Sequence, residues 1–477
     1  MTVDRLAPYL KAHLRSGDAV VLSQWTIDTV ASQVQGTGVR YDINRTASES
    51  GTLSVATDSV VLYETNRVAR GAIAGMTIVT GASIALTGYC AANPKACFGS
   101  CPTFYVQHGD GWRLEAEGFS SSVAPSLEAT DVDALPGARP RRGMVRLSLR
   151  NEAFETHNIR SARLLAVPHV AGERVYAGEH GEFWRSRTTA APARCEGEGG
   201  SCLDAVGSPG GAERFTATDS TDLAAREFVE LEFPAVRGQR IGLVIKARHA
   251  LVSTFLFYQA LSYMGRSAGT WLAALERGDP ATKQQARDPA AALGGIEVQQ
   301  RDSAGVWITV AESAEHGPIA SDLRVLPLRS APRGPVQLRL RLARGAWRID
   351  YLAVASLDEQ VAPIRLDPVQ VTRAGHDDPE ARARLIDSAR FLTTLPGDAY
   401  VLSYRVPSGD APVALFLEAR GYYLEWMREA WLAEENPLKA ALMLTNPAQA
   451  MRDLAPAFKR VEPTMEAAFW RSRYVPR

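Results

Sequence analysis

Five cysteines fall in two short windows of the sequence, Cys90, Cys97 and Cys101 in one and Cys195 and Cys202 in the other, and their spacing is the first hint of chemistry. Cys97-Phe98-Gly99-Ser100-Cys101-Pro102 sets two thiols three residues apart. Such a pair closes a tight disulfide that would pin the turn into the next strand, or presents adjacent thiolates. Zinc is the weaker reading, because a closed site wants four ligands and no second pair or histidine stands close in sequence. A redox pair normally has a two-residue gap, which is missing here. Cys195 and Cys202 could close a small surface loop, with Gly197, Gly199 and Gly200 supplying the bend, which would leave Cys90 as the odd thiol. The eight histidines never fall at metal-ligand spacing with one another or with cysteine, so no metal and no cofactor is expected. His169 and His180 read as polar surface residues.

A second constellation is aromatic. Gly421-Tyr422-Tyr423-Leu424-Glu425-Trp426-Met427-Arg428, followed by Trp431, places Tyr422, Tyr423, Trp426 and Trp431 where they could stack on a sugar or anchor a partner. The competing reading is that these rings pack the C-terminal helices onto the preceding strand, with Phe458 and Phe469-Trp470 as the matching surface. No nucleophile elbow, zinc-protease helix, Walker loop or dinucleotide fingerprint is present, so no catalytic residue is assigned. Were the chain a hydrolase through an unrecognised site, Asp110, Glu117, Glu418 and Glu425 would be its candidate carboxylates.

The elements that would position these residues are mostly strands. Met1 to Leu14 reads as an amphipathic helix without the features of a secretory signal. Short strands follow at 19–22, 39–43, 52–56 and 59–63, predicting a small N-terminal β-barrel with Leu53, Val55, Val60 and Leu62 inward. Gly71 to Ala92 is uncharged and long enough to span a bilayer, with Arg67 and Arg70 before it and Lys95 after it. Its five strongly apolar side chains supply only roughly −2.5 kcal/mol of insertion energy, so a buried soluble element competes evenly with a membrane helix.

Gly109-Asp110-Gly111 between two alternating runs predicts a β-hairpin. Strands are expected at 144–150, 161–167 and 174–176, then an exposed loop over 188–217. A strand pair at 227–233 and 241–246 precedes one long or kinked helix over 253–276. Further strands at 306–310, 322–326, 336–341 and 347–356 suggest a second sandwich or the completion of the first. Asp378 caps a helix running to about residue 392. Strands at 400–405 and 413–419 and helices at 426–432 and 447–467 close the chain. The expected fold is mainly β with α additions, in several domains: 1–66 a small β-barrel with a leading helix, 67–93 the apolar segment, 94–280 and 281–375 two β-rich sandwich-like domains, and 376–477 a strand-plus-helix region.

The length of 477 residues exceeds what one core supports, which fits this division. Lysine plus arginine equals aspartate plus glutamate at 53 each, so no field draws the chain to nucleic acid, and Arg139-Pro140-Arg141-Arg142 reads as a local solvated turn.

From Pro94 to Tyr105, through Pro94-Lys95-Ala96-Cys97-Phe98-Gly99-Ser100-Cys101-Pro102-Thr103-Phe104-Tyr105, the sequence resembles an uncharacterised family of bacterial cell-envelope proteins of lipoprotein type. Gly109-Asp110-Gly111-Trp112 and Gly421-Tyr422-Tyr423-Leu424-Glu425-Trp426 fit the same likeness, which runs in motif order over roughly residues 15 to 475. It implies an exported, membrane-associated protein and brings no catalytic residue with it. The chain lacks an N-terminal lipid-acceptor cysteine, and Tyr89 stands where a small residue should precede Cys90. The expectation is therefore a non-enzymatic envelope protein on the periplasmic side, binding an envelope protein or a surface glycan, with the membrane reached through Gly71 to Ala92. An envelope hydrolase of carbohydrate or peptide is the alternative.

Overall fold

The computed structural model describes residues 5, 7, 9–14, 16, 18–42, 47–65, 101–153, 155–302, 304–314, 317–329, 334–407, 411–425 and 434–471. The chain is mainly β with α additions, 46% strand and 23% helix, arranged in several sheets. The apolar segment Gly71 to Ala92 and the expected helix at 426–432 lie outside the described residues, among which no helix is long and apolar enough to cross a membrane.

Strands β1 (Tyr9–Leu14), β2 (Ala19–Asp28), β3 (Gln33–Tyr41), β4 (Ala47–Ala56) and β5 (Val60–Thr65) form one antiparallel sheet in the order β4-β3-β2-β1-β5. The helix expected over the first residues is thus a strand from Tyr9 onward. β1 is hydrogen-bonded to β2 on one side and β5 on the other, and this pairing overrides helical spacing. Leu10, Ala12, Val20, Leu22, Val34, Leu53, Val55 and Val60 share one core that reaches both edge strands of this sheet. The side chain of Leu62 lies outside the described ones.

The next strands are β6 (Thr103–His108), β7 (Gly111–Glu117), β8 (Ala129–Ala134), β9 (Met144–Arg150) and β10 (Glu155–Pro168). After them come β11 (Arg174–Ala177), β12 (Phe183–Ser186), β13 (Thr189–Ala190), β14 (Arg194–Gly197), β15 (Gly200–Ser201), the helical turn α1 (Leu203–Val206), β16 (Arg226–Phe233) and β17 (Ile241–His249). Helices α2 (Val252–Met264), α3 (Ala268–Glu276) and α4 (Pro280–Leu293) precede β18 (Ile296–Arg301), β19 (Trp307–Ser313), β20 (Asp322–Pro327), β21 (Val336–Ala343) and β22 (Trp347–Ser356). The remainder is β23 (Ile364–Leu366), β24 (Gln370–Arg373), β25 (His376–Asp377), α5 (Pro379–Ile386), β26 (Leu392–Thr394), β27 (Ala399–Arg405), β28 (Val413–Glu425), α6 (Pro437–Thr445) and α7 (Pro447–Arg471).

These strands build two sandwiches. In the first, β25-β24-β27-β9-β6-β7 faces a sheet of β23, β10, β28 and β8, with β26 also paired to β10. Val145, Leu147 and Leu149 of β9 meet Ala162 and Leu164 of β10 and Leu415, Leu417 and Ala419 of β28 in one core. In the second, β12-β11-β20-β17-β22-β13 faces β15-β14-β16-β21-β18-β19. Alternate residues point inward, Val229, Leu231 and Phe233 on β16 and Leu338, Leu340 and Leu342 on β21, each contributing about 1.5–3 kcal/mol by leaving water. The same core continues into the helical layer through Phe255, Leu256, Leu261, Phe458 and Phe469.

Neither sandwich respects the expected divisions at residues 280 and 375. β16 pairs β21 and β17 pairs β22 across the first, while β10 pairs β28 and β24 pairs β27 across the second. The expected 253–276 helix is broken at Gly265, whose φ of 52° a single-residue turn requires, giving α2 and α3. Asp378 does cap α5, accepting from Ala381 N at 2.9 Å, but the helix stops at Ile386 because Leu392–Thr394 is claimed as a strand by β10. The loop at 188–217 carries β13 to β15 and α1, and α4 was not expected, although Asp279 accepts from Thr282 N at 2.8 Å with Pro280 behind it.

Candidate functional site

Cys195 and Cys202 form the expected disulfide. It is no surface clip, since both residues are buried in the second sandwich's core, and Cys202 N donates to Cys195 O at 2.9 Å to close the turn. Cys101, by contrast, is a free buried thiol, so the expected Cys97–Cys101 bridge is not made; Cys97 and Cys90 lie outside the described residues. The backbone after Cys101 runs directly into β6, and its thiol is engaged by the Glu117 carboxylate. Burial, then the negative charges of Glu117 and Glu155, push the Cys101 thiol well above its ordinary value, which keeps it protonated rather than nucleophilic.

The aromatic stretch continues β28, opposite residues 155–159 of β10. Tyr422 is fully buried and packs edge-on against Phe391 with centroids 5.4 Å apart. Tyr423 donates its hydroxyl to Ser120 O at 2.9 Å, and Trp426 and Trp431 lie outside the described residues. The two tyrosines are therefore held in the core rather than displayed. Gly421 before them is obligatory, since a Cβ there would strike Asn158 O and the Phe119 ring.

The four candidate carboxylates are scattered. Asp110 sits in the hairpin turn between β6 and β7. Glu418 lies 3.6 Å from Arg163 and 3.3 Å from Arg365. Glu425 accepts from the Tyr258 hydroxyl and stands directly across the strand pair from Glu155, whose carboxylate is 3.1 Å from His157 Nε2. Glu117 lines a cavity between the sheets and the helical layer.

That cavity, of about 590 Å³, is the feature that brings dispersed residues together. One wall is helical and apolar, built from Leu256, Phe257, Leu261 and Met264 of α2, Trp271 of α3 and Leu293 of α4. The other end is polar: Cys101, just before β6, converges with Glu117 of β7, Tyr423 of β28, Tyr258 of α2 and His249 of β17. Glu117 Oε2 accepts from Ile319 N at 2.7 Å and Ala320 N at 3.2 Å, and Gly317 leaves the space its carboxyl occupies. The His249 ring lies 4.0 Å from that of Trp347. Trp271 donates its ring N–H to Gln285 at 3.0 Å, fixing the indole against α4. Exposed lining residues Arg287 and Ala290 of α4 mark the mouth.

Tyr105 and Thr103 donate to Glu152 at 2.7 and 3.0 Å. Burial, followed by Cys101 and Glu155, raises the Tyr423 hydroxyl well above its ordinary value, so it stays a donor. Among the described residues no group of three or more histidine, cysteine or acidic side chains is placed to hold a metal ion. Sequence reasoning found Cys101, Glu117 and Tyr423 singly but missed their convergence and missed His249, Tyr258 and Trp271. The apolar spacing of 253–276 was the one signal that pointed to the helical wall.

No family model matches the sequence, and no curated protein matches it. Among solved structures, the chain has a low similarity to a beta-porphyranase of glycoside hydrolase family 86 from the human gut bacterium Bacteroides plebeius. That pair is 6% identical with a TM-score of 0.18, covering 47% of this chain and 36% of the other. A GH31 alpha-xylosidase from Xanthomonas citri is 10% identical with a TM-score of 0.16, covering 88% of this chain and 37% of that one. The chain thus spans little more than a third of either protein, and likenesses of this size assign neither fold nor chemistry.

Proposed function

We propose that this chain is a non-catalytic binding protein of the bacterial cell envelope, and that its ligand seats in the cavity between helices α2 to α4 and the ends of β6, β7 and β28. The observation that carries this reading is the cavity itself, whose size and mostly apolar lining with a few convergent polar groups are those of a ligand pocket. Its thiol is held protonated, and only one of the four carboxylates expected for hydrolysis faces it, so binding is favoured over an envelope hydrolase. The buried Cys195–Cys202 disulfide supports an oxidising compartment.

Native mass spectrometry of the protein purified from its own envelope fraction tests the proposal. A small molecule retained by the wild type and lost in Ala290→Trp, which places a ring in the mouth at an exposed position, is the expected result. Recovery of the protein from the cytosol with every cysteine reduced would overturn the envelope assignment. Absence of any bound or titratable ligand would overturn the binding one.

A further inference from the structure

A groove of about 1210 Å³ lies where the two sandwiches meet, apart from the cavity beside α2 to α4. Beneath it is the core cluster that joins them, in which Phe416 of β28 packs with Val175 of β11. Leu323 and Val413, partly buried, and four exposed prolines, Pro136, Pro140, Pro407 and Pro412, line it above. Small-molecule pockets usually hold about 300–1,000 Å³, so this groove has room for a polymer segment, and domain junctions are where ligands commonly bind.

The free charges around the groove are of one sign. Arg139 and Arg174 line it, Arg141 and Arg142 continue the same basic turn, and all four are exposed. Arg141 N donates to Met144 O at 2.8 Å and Met144 N to Arg141 O at 3.0 Å, with Arg142 and Gly143 between them at φ of 52° and 74°. The basic residues therefore stand on a tight two-residue turn and not on a loose loop. Arg139 donates to Pro136 O and Ala138 O, Arg141 to Gly109 O, and Arg174 lies against the hydroxyls of Tyr176 and Tyr351. Among the described residues no carboxylate pairs with any of the four, Asp110 beside Gly109 included. Glu173, the carboxylate among the described lining residues, is taken by Arg187 Nε at 3.0 Å and Val170 N at 3.2 Å. Guanidinium keeps its charge throughout the pH range of a folded protein, so the groove has a positive rim over an apolar floor, in a chain whose charges balance at 53 each.

We infer that this groove docks an acidic peptide segment of a partner protein, its carboxylates held by Arg139 and Arg174 and its apolar side chains seated on Leu323, Val413 and the proline rings. Paired N–H donors match a carboxylate, and arginine clusters read acidic motifs in peptide recognition. A polysaccharide or polyphosphate would satisfy the rim but set its hydroxyls or phosphates against the apolar floor, at a desolvation cost. The site is independent of the cavity beside α2 to α4, and either can fail alone.

Fluorescence anisotropy with the full-length protein tests this, using a dye-labelled octapeptide of alternating glutamate and leucine blocked at both ends. It is expected to bind at least about tenfold more tightly than a glutamate–serine octapeptide, which keeps the charge without the apolar side chains, or a lysine–leucine octapeptide. Arg139→Glu with Arg174→Glu is expected to weaken the glutamate–leucine peptide at least about tenfold. Ala411→Trp, which sets an indole into the groove from an exposed lining position, is expected to do the same and serves where the double variant does not fold. Tighter binding of polygalacturonate or of a thymidine oligonucleotide, read by competition, overturns the peptide assignment in favour of those polyanions. Equal binding of the three peptides, binding that survives the variants, or no binding by any of the anions overturns the groove as a docking site.

Discussion

The N-terminal sheet and the two sandwiches that follow are both antiparallel, yet they are assembled on different scales. In the first, β1 to β4 pair with their sequence neighbours and only β5 returns across the sheet. In the sandwiches, the most extensive pairing joins distant segments, β10 and β28, from Glu155 opposite Glu425 to Pro168 opposite Val413. Their buried charges differ too. Glu64 of the small sheet has Lys11 at 3.5 Å and His13 at 2.9 Å, and Lys11 also reaches Glu276 of α3 at 2.6 Å. Asp133 on β8 is buried, with Oδ2 lacking a hydrogen bond and Asp131 and Asp322 nearby. Both regions hold paired charges, and the sandwiches in addition bury the Asp133 carboxyl beside two other acids, which burial and those acids push toward its protonated form.

The largest expected effect lies in the second sandwich, where Arg214 Nη1 is 2.8 Å from Glu227 Oε1 and both side chains are buried. Arg214→Met leaves an unpaired buried carboxylate and should cost about 3–5 kcal/mol in denaturant unfolding of the sandwiches. Hydrogen exchange in β1 to β5 should be unchanged; coupled loss there would show that the two regions unfold as one.

Acid separates them further. Burial alone would raise the Glu64 carboxyl, but Lys11 and then His13 override it and hold it at about 2. A carboxyl depressed on folding stabilises above its unfolded value and loses that contribution as pH falls toward the folded one. Exchange protection in the small sheet should therefore drop by about 2–3 kcal/mol between roughly pH 4.5 and 2, the fraction allowed after screening of a partly exposed group. Glu64→Gln should flatten that profile.

Replacing Cys195 and Cys202 together by alanine releases a short loop and should lower the stability of the second sandwich by about 2–3 kcal/mol. The same loss should appear on reducing the wild type, read by the midpoint in guanidinium. The smallest effect is expected at Asp133, whose carboxyl is pushed well above its ordinary value by burial and then by Asp131 and Asp322. With a raised folded value, its protonated form stabilises, and that contribution fades as pH climbs from the ordinary carboxylate range through the raised value. Asp133→Asn should gain about 1 kcal/mol at mildly alkaline pH. A loss there would mean the charge has a partner in solution.

The same contrast of scale explains what could be read from the residues. The hairpin at Gly109-Asp110-Gly111 was legible because its turn chemistry is local, and Gly109 does adopt a φ of 60°. Strands β9 and β16 were legible from period-two alternation alone. Partners were not, because alternation fixes a strand's buried face and says nothing about which distant strand lies beside it. For that reason the divisions at 280 and 375 cut through hydrogen-bonded sheets. The site failed for the same cause. Cys101, Glu117, Tyr258 and Tyr423 come from four separate elements, and each taken singly reads as core, clip or surface.

The pairing of β10 with β28 also has a consequence for synthesis. As the chain emerges, β10 is complete long before its neighbour exists, and the sheet that holds it stays open along that edge until residue 425 is available. An apolar strand waiting with unmet backbone donors invites pairing with other nascent copies. Production of this protein should therefore depend on holdase supply and on slow translation, and fragments ending before β28 should aggregate where the full chain does not.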